Sequence, residues 1–172
     1  MGEWTAKLGP GNADTEDTMR RILFTMLTLA IALTGATAAG AAEKLTADDY
    51  AEIQQLYVQY ARTIDSGDAM GWAKTFTDDG VFGDAVGHDA LVAFAEGFHG
   101  NFQGRARHFN DAIQITATDE GADGSCYLIL YNTGTQPPTV VVTGIYNDKL
   151  VRTEDGWRFK TRAVTPDPPA EQ

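Results

Sequence analysis

The sequence predicts an α+β domain in which three N-terminal helices pack on one face of an antiparallel sheet. Between residues 46 and 98, apolar side chains recur at spacings of three and four, which is typical of amphipathic helices. From residue 107 onward the period changes to two, and turn signals separate the apolar segments, which is typical of hairpin-linked strands. Helices followed by a run of strands favour α+β over a parallel α/β fold.

The first helix has the clearest periodic signal. Thr46 is predicted as its N-cap, with Asp49 three residues later in an approximate capping box. The helix is expected to end at Ser66-Gly67. The apolar positions form one continuous stripe: Tyr50, Ile53, Leu56, Tyr57, Tyr60, Ala61 and Ile64.

Two shorter helices are predicted next. The second is expected to include Phe76 and to stop at residues 77–80, and a brief strand, Val81-Phe82, follows. The third begins after Gly87, and a glycine-containing loop is predicted over residues 99–104. The apolar residues of the third helix are Leu91, Phe94, Ala95 and Phe98.

Four strands are predicted in the second half of the domain, at residues 107–118, 125–132, 139–152 and 157–165. The second and third of them carry apolar residues on both faces. Helices cover only one face of such a sheet, and a second subunit is the economical cover for the other. We therefore predict a homodimer through the outer sheet face; the alternative is an exposed, apolar-rich sheet.

The N-terminal region has the pattern of a secretory signal peptide. Residues 19–42 contain a basic start, an apolar run and a series of small residues. The apolar run is shorter than the ~20 residues that span a bilayer, so we expect no stable membrane anchor and predict export after cleavage near Ala42. Residues 1–18 are interpreted as an extension that is not native, with translation beginning at Met19; a genuine polar extension is the alternative. The folded domain is then expected at 43–165.

Residues 166–172 are expected to form a flexible tail.

Composition and motif content reduce the number of possible partners and cofactors. With 24 acidic against 13 basic residues, the net charge is −11, which disfavours nucleic acid as a partner. Cys126 is the single cysteine, so no disulfide forms within the chain. His88 and His99 have no other ligand at helical spacing, and no glycine-rich phosphate loop is present. We therefore expect neither a metal nor a cofactor.

An ordered set of short motifs runs through the domain: 60–65 (Tyr-Ala-Arg-Thr-Ile-Asp), Gly67-Asp68, Trp72, 76–82, Arg107-His108-Phe109, 144–148, 150–152 and 156–159. This set resembles the SnoaL-like branch of the nuclear transport factor 2-like superfamily, from about Thr46 to Val164. The resemblance implies a cone, in which the helices and a curved sheet enclose one small-molecule pocket. It specifies the fold better than the function, because this fold hosts dehydratases, isomerases, cyclases and non-catalytic binders.

The resemblance also implies a pair of catalytic residues. Scytalone dehydratase and lindane dehydrochlorinase are similar at an aspartate that ends the first helix, matched by Asp65, and at a histidine that opens the first long strand, matched by His108. Simple alternation places Asn110 and Gln114 on the same face as His108. A structural histidine, and an Asp65 that caps the Ser66-Gly67 turn, are the alternatives. Helical angles place Asp65 about 120° from the centre of the apolar stripe, so periodicity alone does not direct it inward.

The remaining candidate site residues line the expected pocket. Tyr60, at the centre of the stripe, is a candidate catalytic hydroxyl that would polarise a substrate oxygen. The candidate substrate-binding residues are Tyr146, Trp72, Phe82, Phe98 and Asn110. For the tyrosines and the large apolar residues, the alternative is a plain core position.

These residues predict an exported domain that binds a small, largely apolar molecule. A histidine side chain, with an ordinary pKa near ~6.5, is a natural base at neutral pH, and a carboxylate on its other nitrogen would fix its tautomer. The leading hypothesis is a cofactor-independent lyase or isomerase that uses His108 and Asp65. The alternatives are a non-catalytic ligand-binding module and a homodimeric interaction module of the periplasm.

Overall fold

The structure is a computed structural model that describes residues 44–169. The N-terminal extension, the signal peptide and its cleavage site all lie outside the described residues, as do residues 170–172 of the expected tail. Within residues 44–169, no helix is long and apolar enough to cross a membrane.

Residues 44–169 form three helices on the inner face of a six-stranded sheet, so the predicted α+β class is confirmed. Spatial order in the sheet is β2-β1-β6-β5-β4-β3. The β1–β6 pair is parallel and the other pairs are antiparallel. The elements are α1 (Ala47–Ser66), α2 (Ala69–Ala73), β1 (Phe76–Phe82), β2 (Ala85–Val86), α3 (His88–Phe102), β3 (Ala106–Thr118), β4 (Gly121–Asn132), β5 (Thr139–Thr153) and β6 (Gly156–Pro166).

The predicted second helix is too long. It ends at Ala73, and Phe76, which the sequence pattern assigns to that helix, begins β1 instead. Phe76 pairs with Phe159 of β6, and the Phe159 N–H donates to the Thr75 carbonyl at 2.9 Å. Pairing with a distant strand therefore overrides a local helical pattern.

The predicted loop over residues 99–104 is also wrong, since α3 continues through Phe102. Phe94, Phe98 and Phe102 extend the four-residue spacing, and the last two rings are 4.8 Å apart. At the other end of the domain β6 reaches Pro166, and the Asp167 N–H donates to the Thr143 carbonyl at 2.9 Å. The expected tail is therefore anchored at its first two residues.

A bulge interrupts β3. Asp111 pairs with Tyr127 and Gln114 pairs with Ser125, so β3 contains one residue more than β4 over this stretch. Ala112 takes up the extra residue in a left-handed conformation with φ 54°. Such a bulge shifts the alternation of side chains by one position.

The bulge corrects the predicted faces of β3. His108 lies opposite the buried Leu130, so His108 and Asn110 are on the inner face, as expected. Beyond the bulge it is Ile113 and Ile115 that pack against the core, and Gln114 turns to the outer face. The polar stretch of the inner face is therefore shorter than simple alternation predicts.

The outer face of the sheet carries an apolar patch, which we define as Phe109, Tyr127, Tyr131, Val140 and Ile145. Phe109 and Tyr127 are 61% and 60% exposed. Tyr127 is paired with Ile145 and Tyr131 with Val140 across β4 and β5, and the rings of Phe109 and Tyr131 meet at 5.4 Å. These contacts make the patch continuous across β3, β4 and β5.

The core contains a fully buried ion pair between neighbouring strands. The Arg162 Nε of β6 lies 3.0 Å from the Asp148 Oδ1 of β5, and both side chains are 0% exposed. Arg162 Nη2 and the Tyr57 hydroxyl donate to Asp148 Oδ2, at 3.2 and 2.5 Å. Burial raises the pKa of the Asp148 carboxyl, while Arg162 and Tyr57 oppose that rise. Since an arginine does not lose its proton in a protein, the Asp148 carboxylate is the counter-charge that the buried cation requires.

The predicted capping box at the start of α1 is present, and it extends into the sheet. Asp49 accepts hydrogen bonds from the backbone N–H and the hydroxyl of Thr46, at 2.9 and 2.7 Å. It also accepts one from Trp157 Nε1 at 2.9 Å and pairs with Arg152. Hydrogen bonds from Thr46 and Trp157, together with the charge of Arg152, lower the pKa of Asp49 to about 2.

The lowered pKa of Asp49 makes part of the stability depend on pH. In the unfolded chain an aspartate has a pKa of about 3.9. The contribution of Asp49 is therefore complete above that value and is lost as the pH falls towards 2. We expect wild type to unfold at a higher temperature than Asp49→Asn at about pH 6, with the gap closing as the pH approaches 2. Calorimetry across this range measures the gap. Asp48→Asn, at the exposed neighbouring position, is the control, and an equal pH-dependent gap there would contradict the assignment.

Removal of one partner of the buried ion pair should be costly. Asp148→Ala leaves the Arg162 cation buried without a counter-charge, and we expect it to lower the free energy of unfolding by about 3–5 kcal/mol. The double variant Asp148→Ala/Arg162→Leu should recover most of this loss. Asp123→Ala is the matched control, because Asp123 pairs with Lys149 at an exposed position, where such pairs contribute about 0–1 kcal/mol. Urea unfolding measures the free energy of unfolding of the three variants. An equal loss in Asp148→Ala and Asp123→Ala would refute the expected cost.

Candidate functional site

An apolar cavity of about 150 Å³ lies between the helices and the inner face of the sheet. Larger depressions of about 500 and 580 Å³ lie on the outer sheet face and beside α1, but polar surface residues such as Lys149 and Glu52 line them. The small cavity is the one that contains a histidine held by a carboxylate. Its walls consist of Tyr60, Ile64, Phe82, Phe94, Phe98, His108, Leu128, Leu130, Val142, Tyr146 and Val164.

His108 is fixed on the cavity wall by Asp65. Asp65 Oδ1 lies 2.6 Å from His108 Nδ1, and Asp65 Oδ2 accepts the backbone N–H of His108 at 2.9 Å. The side chain of His108 is only 5% exposed and that of Asp65 only 13%. An ionised carboxylate only accepts hydrogen bonds, so the proton of a neutral His108 is on Nδ1 and its Nε2 is the acceptor.

The position of Asp65 follows from tertiary structure. It lies in the last turn of α1, and β3 begins beside it, so its two oxygens meet His108 near the start of that strand. The turn after α1 is closed by the backbone instead, with Gly67 in the left-handed conformation and its N–H directed to the carbonyls of Thr63 and Ile64. The alternative in which Asp65 caps this turn is therefore wrong.

Two tyrosine hydroxyls lie close together near this histidine. Tyr60 of α1 and Tyr146 of β5 are almost completely buried, and the Tyr60 hydroxyl donates to the Tyr146 oxygen at 3.4 Å. The rings of Tyr60 and His108 are in edge contact, with centroids 6.2 Å apart. Burial raises the pKa of both tyrosines, so both hydroxyls are protonated at neutral pH. They can donate hydrogen bonds but cannot act as bases.

The guanidinium of Arg162 lies behind the two tyrosines. Its Cζ is 3.9 Å from the ring centroid of Tyr146 and 4.2 Å from that of Tyr60, and it is not part of the cavity wall. A cation against the faces of two rings is attracted to them, and its field favours negative charge that develops at their hydroxyl ends. Arg162 and Asp148 were missed from the sequence. Strand alternation could have indicated Asp148, because it lies two residues from both Tyr146 and Leu150 on β5 and therefore shares their buried face.

The other predicted site residues divide into two groups. Phe82 and Phe98 line the cavity. Trp72 does not: it is fully buried behind the wall, and its ring lies 5.5 Å from Phe94 and 5.6 Å from Phe82. Asn110 is also absent from the wall, although its amide atoms are buried without a hydrogen-bonding partner among the described residues. The prediction followed strand alternation, which gives the face of a residue but not its distance along the cavity.

The remaining candidates for reactive groups are the cysteine thiol and possible metal ligands. Burial raises the pKa of the Cys126 thiol to about 12, so it is not a thiolate at neutral pH. Over residues 44–169, no group of three or more histidine, cysteine or acidic residues is arranged to hold a metal ion.

Comparison with known proteins places this architecture in one family. A family model described as a SnoaL-like domain matches residues 45–163. ActVI-ORFA from Streptomyces coelicolor is 28% identical, with a TM-score of 0.63 over 72% of this chain and 98% of that chain. A protein from Catenulispora acidiphila, in complex with S-DNPA, is 30% identical, with a TM-score of 0.64 over 70% and 95%.

A further structure shares the fold alone. An NTF2-like protein with a cystatin-like fold from Novosphingobium aromaticivorans is 21% identical, with a TM-score of 0.62 over 91% of this chain and 90% of that chain. No curated protein sequence matches. Because the SnoaL-like model covers most of the chain, from the start of α1 into β6, the protein belongs to the SnoaL-like family of the nuclear transport factor 2-like superfamily.

Proposed function

We propose that this protein is a cofactor-independent lyase or isomerase that acts on a small, largely apolar carbonyl compound in the cavity. The observation that carries the proposal is the Asp65–His108 pair, a base with a fixed tautomer on an otherwise apolar wall. In support, the relative from Catenulispora acidiphila forms a complex with a small molecule, S-DNPA.

The proposed reaction begins with proton transfer to His108. Nε2 takes a proton from the carbon next to the substrate carbonyl, and that C–H electron pair forms a C=C bond while the carbonyl oxygen becomes an enolate oxygen. Asp65 stabilises the imidazolium that results. The enolate then expels a leaving group from the next carbon, which is elimination, or takes the proton back at a different carbon, which is isomerisation.

Tyr146 is proposed to donate its hydroxyl hydrogen to the enolate oxygen, supported by Tyr60, whose own hydrogen is donated to the Tyr146 oxygen. Both hydroxyls are protonated at neutral pH and can therefore donate hydrogen bonds. The low polarity of the cavity strengthens hydrogen bonds to a developing negative charge. The Arg162 cation behind the rings favours that charge further. In this proposal His108 is the base, and the tyrosine hydroxyls stabilise the negative charge on the substrate oxygen.

Loss of the proposed pair should reduce turnover without unfolding the protein. We expect His108→Ala and Asp65→Asn each to lower kcat by about 10²–10⁴-fold on a panel of enolisable ketones and halogenated compounds. Tyr146→Phe should lower kcat by about 10²-fold, because one oxyanion donor is lost. His88→Gln, at the start of α3 and away from the cavity, is the control. Turnover that is unchanged in both His108→Ala and Asp65→Asn would eliminate the proposed base.

We also propose that the protein is a homodimer through the outer apolar patch. Phe109 and Tyr127 of this patch are more than half exposed in the single chain, and removing such a surface from water is favourable. Residues 19–42 support the further proposal that the protein is exported, which rests on their sequence pattern alone.

The patch can be tested by sedimentation. We expect a dimer at micromolar concentration and a monomer for Tyr127→Glu, because a carboxylate at the centre of the patch would be buried without a partner. Val86→Glu is the control, since Val86 is equally exposed but lies on β2, at the other edge of the sheet. A monomeric wild type at this concentration would be incompatible with the proposal.

A further inference from the structure

We infer that the ligand of this site is a molecule without a negative charge, built on a single six-membered ring. This inference rests on the proposed function for the location of the site and adds the class of substrate. Ligand pockets generally enclose about 300–1,000 Å³. The cavity here has about 150 Å³, the size at which an engineered apolar cavity is known to take up benzene.

Three phenyl rings set this size. Phe82 comes from β1, and Phe94 and Phe98 come from α3. The rings of Phe82 and Phe94 are in edge contact at 4.9 Å, and those of Phe94 and Phe98 stack at 6.4 Å. They form one connected wall, so a ligand larger than the cavity enters only if part of this wall is removed or displaced.

Phe98 is the residue that limits ligand size beside the proposed base. Its ring lies 5.5 Å from that of His108 and is partly buried. A leucine-to-alanine truncation can leave a cavity of about 150 Å³. Truncation of the larger Phe98 side chain to alanine should therefore roughly double the present volume and bring it to the lower end of the range for ligand pockets.

The wall also disfavours ligands that carry a negative charge. The residues that line the cavity include no lysine or arginine, and Asp65 already pairs with the ring of His108. The buried cation Arg162 is separated from the cavity by the rings of Tyr60 and Tyr146 and already pairs with Asp148, so it offers no direct contact to a ligand. A ligand carboxylate would lose its hydration and gain at most one tyrosine hydroxyl as a donor, which does not offset the burial of a full charge. A single ketone oxygen, in contrast, can accept from a tyrosine hydroxyl.

Binding of matched ketones tests the size limit. Cyclohexanone and 2-tetralone have the same functional group on one ring and on two fused rings, and cyclohexanecarboxylate adds a charge to the single ring. By calorimetry we expect wild type to bind cyclohexanone at least tenfold more tightly than 2-tetralone or cyclohexanecarboxylate. Phe98→Ala should strengthen 2-tetralone binding at least tenfold. Phe109→Ala, which removes the same atoms from the exposed outer face, should leave all three affinities unchanged.

The test separates this inference from the proposed reaction. Asp65→Asn preserves the cavity volume, so it should bind cyclohexanone as wild type does even though turnover falls. Equal binding of both ketones by wild type, no binding of cyclohexanone, or a ratio unchanged in Phe98→Ala would each overturn the size limit, whatever the turnover data show. Phe98→Leu, a smaller truncation checked by circular dichroism, replaces Phe98→Ala should that variant fail to fold, and a smaller gain for 2-tetralone is then expected.

Discussion

The buried cation of Arg162 is the constraint on which the rest of the domain depends. It cannot be neutralised by loss of a proton, so the fold must supply Asp148 on the adjacent strand and aromatic faces around the remaining sides. Asp148 is held in turn by Tyr57 of α1, which joins the central helix to the sheet through a single carboxylate. The two tyrosines of the cavity are part of the same arrangement, because their rings cover the guanidinium. Packing of the core and polarity of the site therefore have a common origin.

A second link, between Asp65 and His108, joins the end of α1 to the start of β3. One oxygen of this carboxylate binds the backbone and the other binds the ring, so the same group sets the position of the strand and the tautomer of the histidine. Because the Asp65 carboxylate serves both purposes, no further polar residue is needed to position His108. The two ends of α1 also differ in their contacts: the start is fixed by a capping box that reaches the sheet, and the end holds the proposed base.

Sequence pattern was sufficient for the class of the fold, the course of α1 and the inward positions of Tyr60 and Tyr146, because these depend on long periodic segments. It was insufficient where pairing between distant segments decides the outcome. Phe76 is helical by local pattern and a strand residue by its pairing with Phe159. The contact of Asp65 with His108 was expected from family resemblance, not from periodicity. Arg162 and Asp148 were missed since a charged residue inside a strand is ordinarily assigned to the solvent face.

The bulge at Ala112 has a consequence for how this strand tolerates change. Even-numbered residues face the core before the bulge and odd-numbered residues face it afterwards, so β3 behaves as two short strands offset by one residue. Loss of one residue at this point would restore a single phase and turn the distal half over, which would bring Ile113 and Ile115 to the solvent and Gln114 to the core. The strand can therefore vary in residue type along its length far more readily than in residue number. For β3, the count of residues between histidine and hairpin is itself a structural requirement.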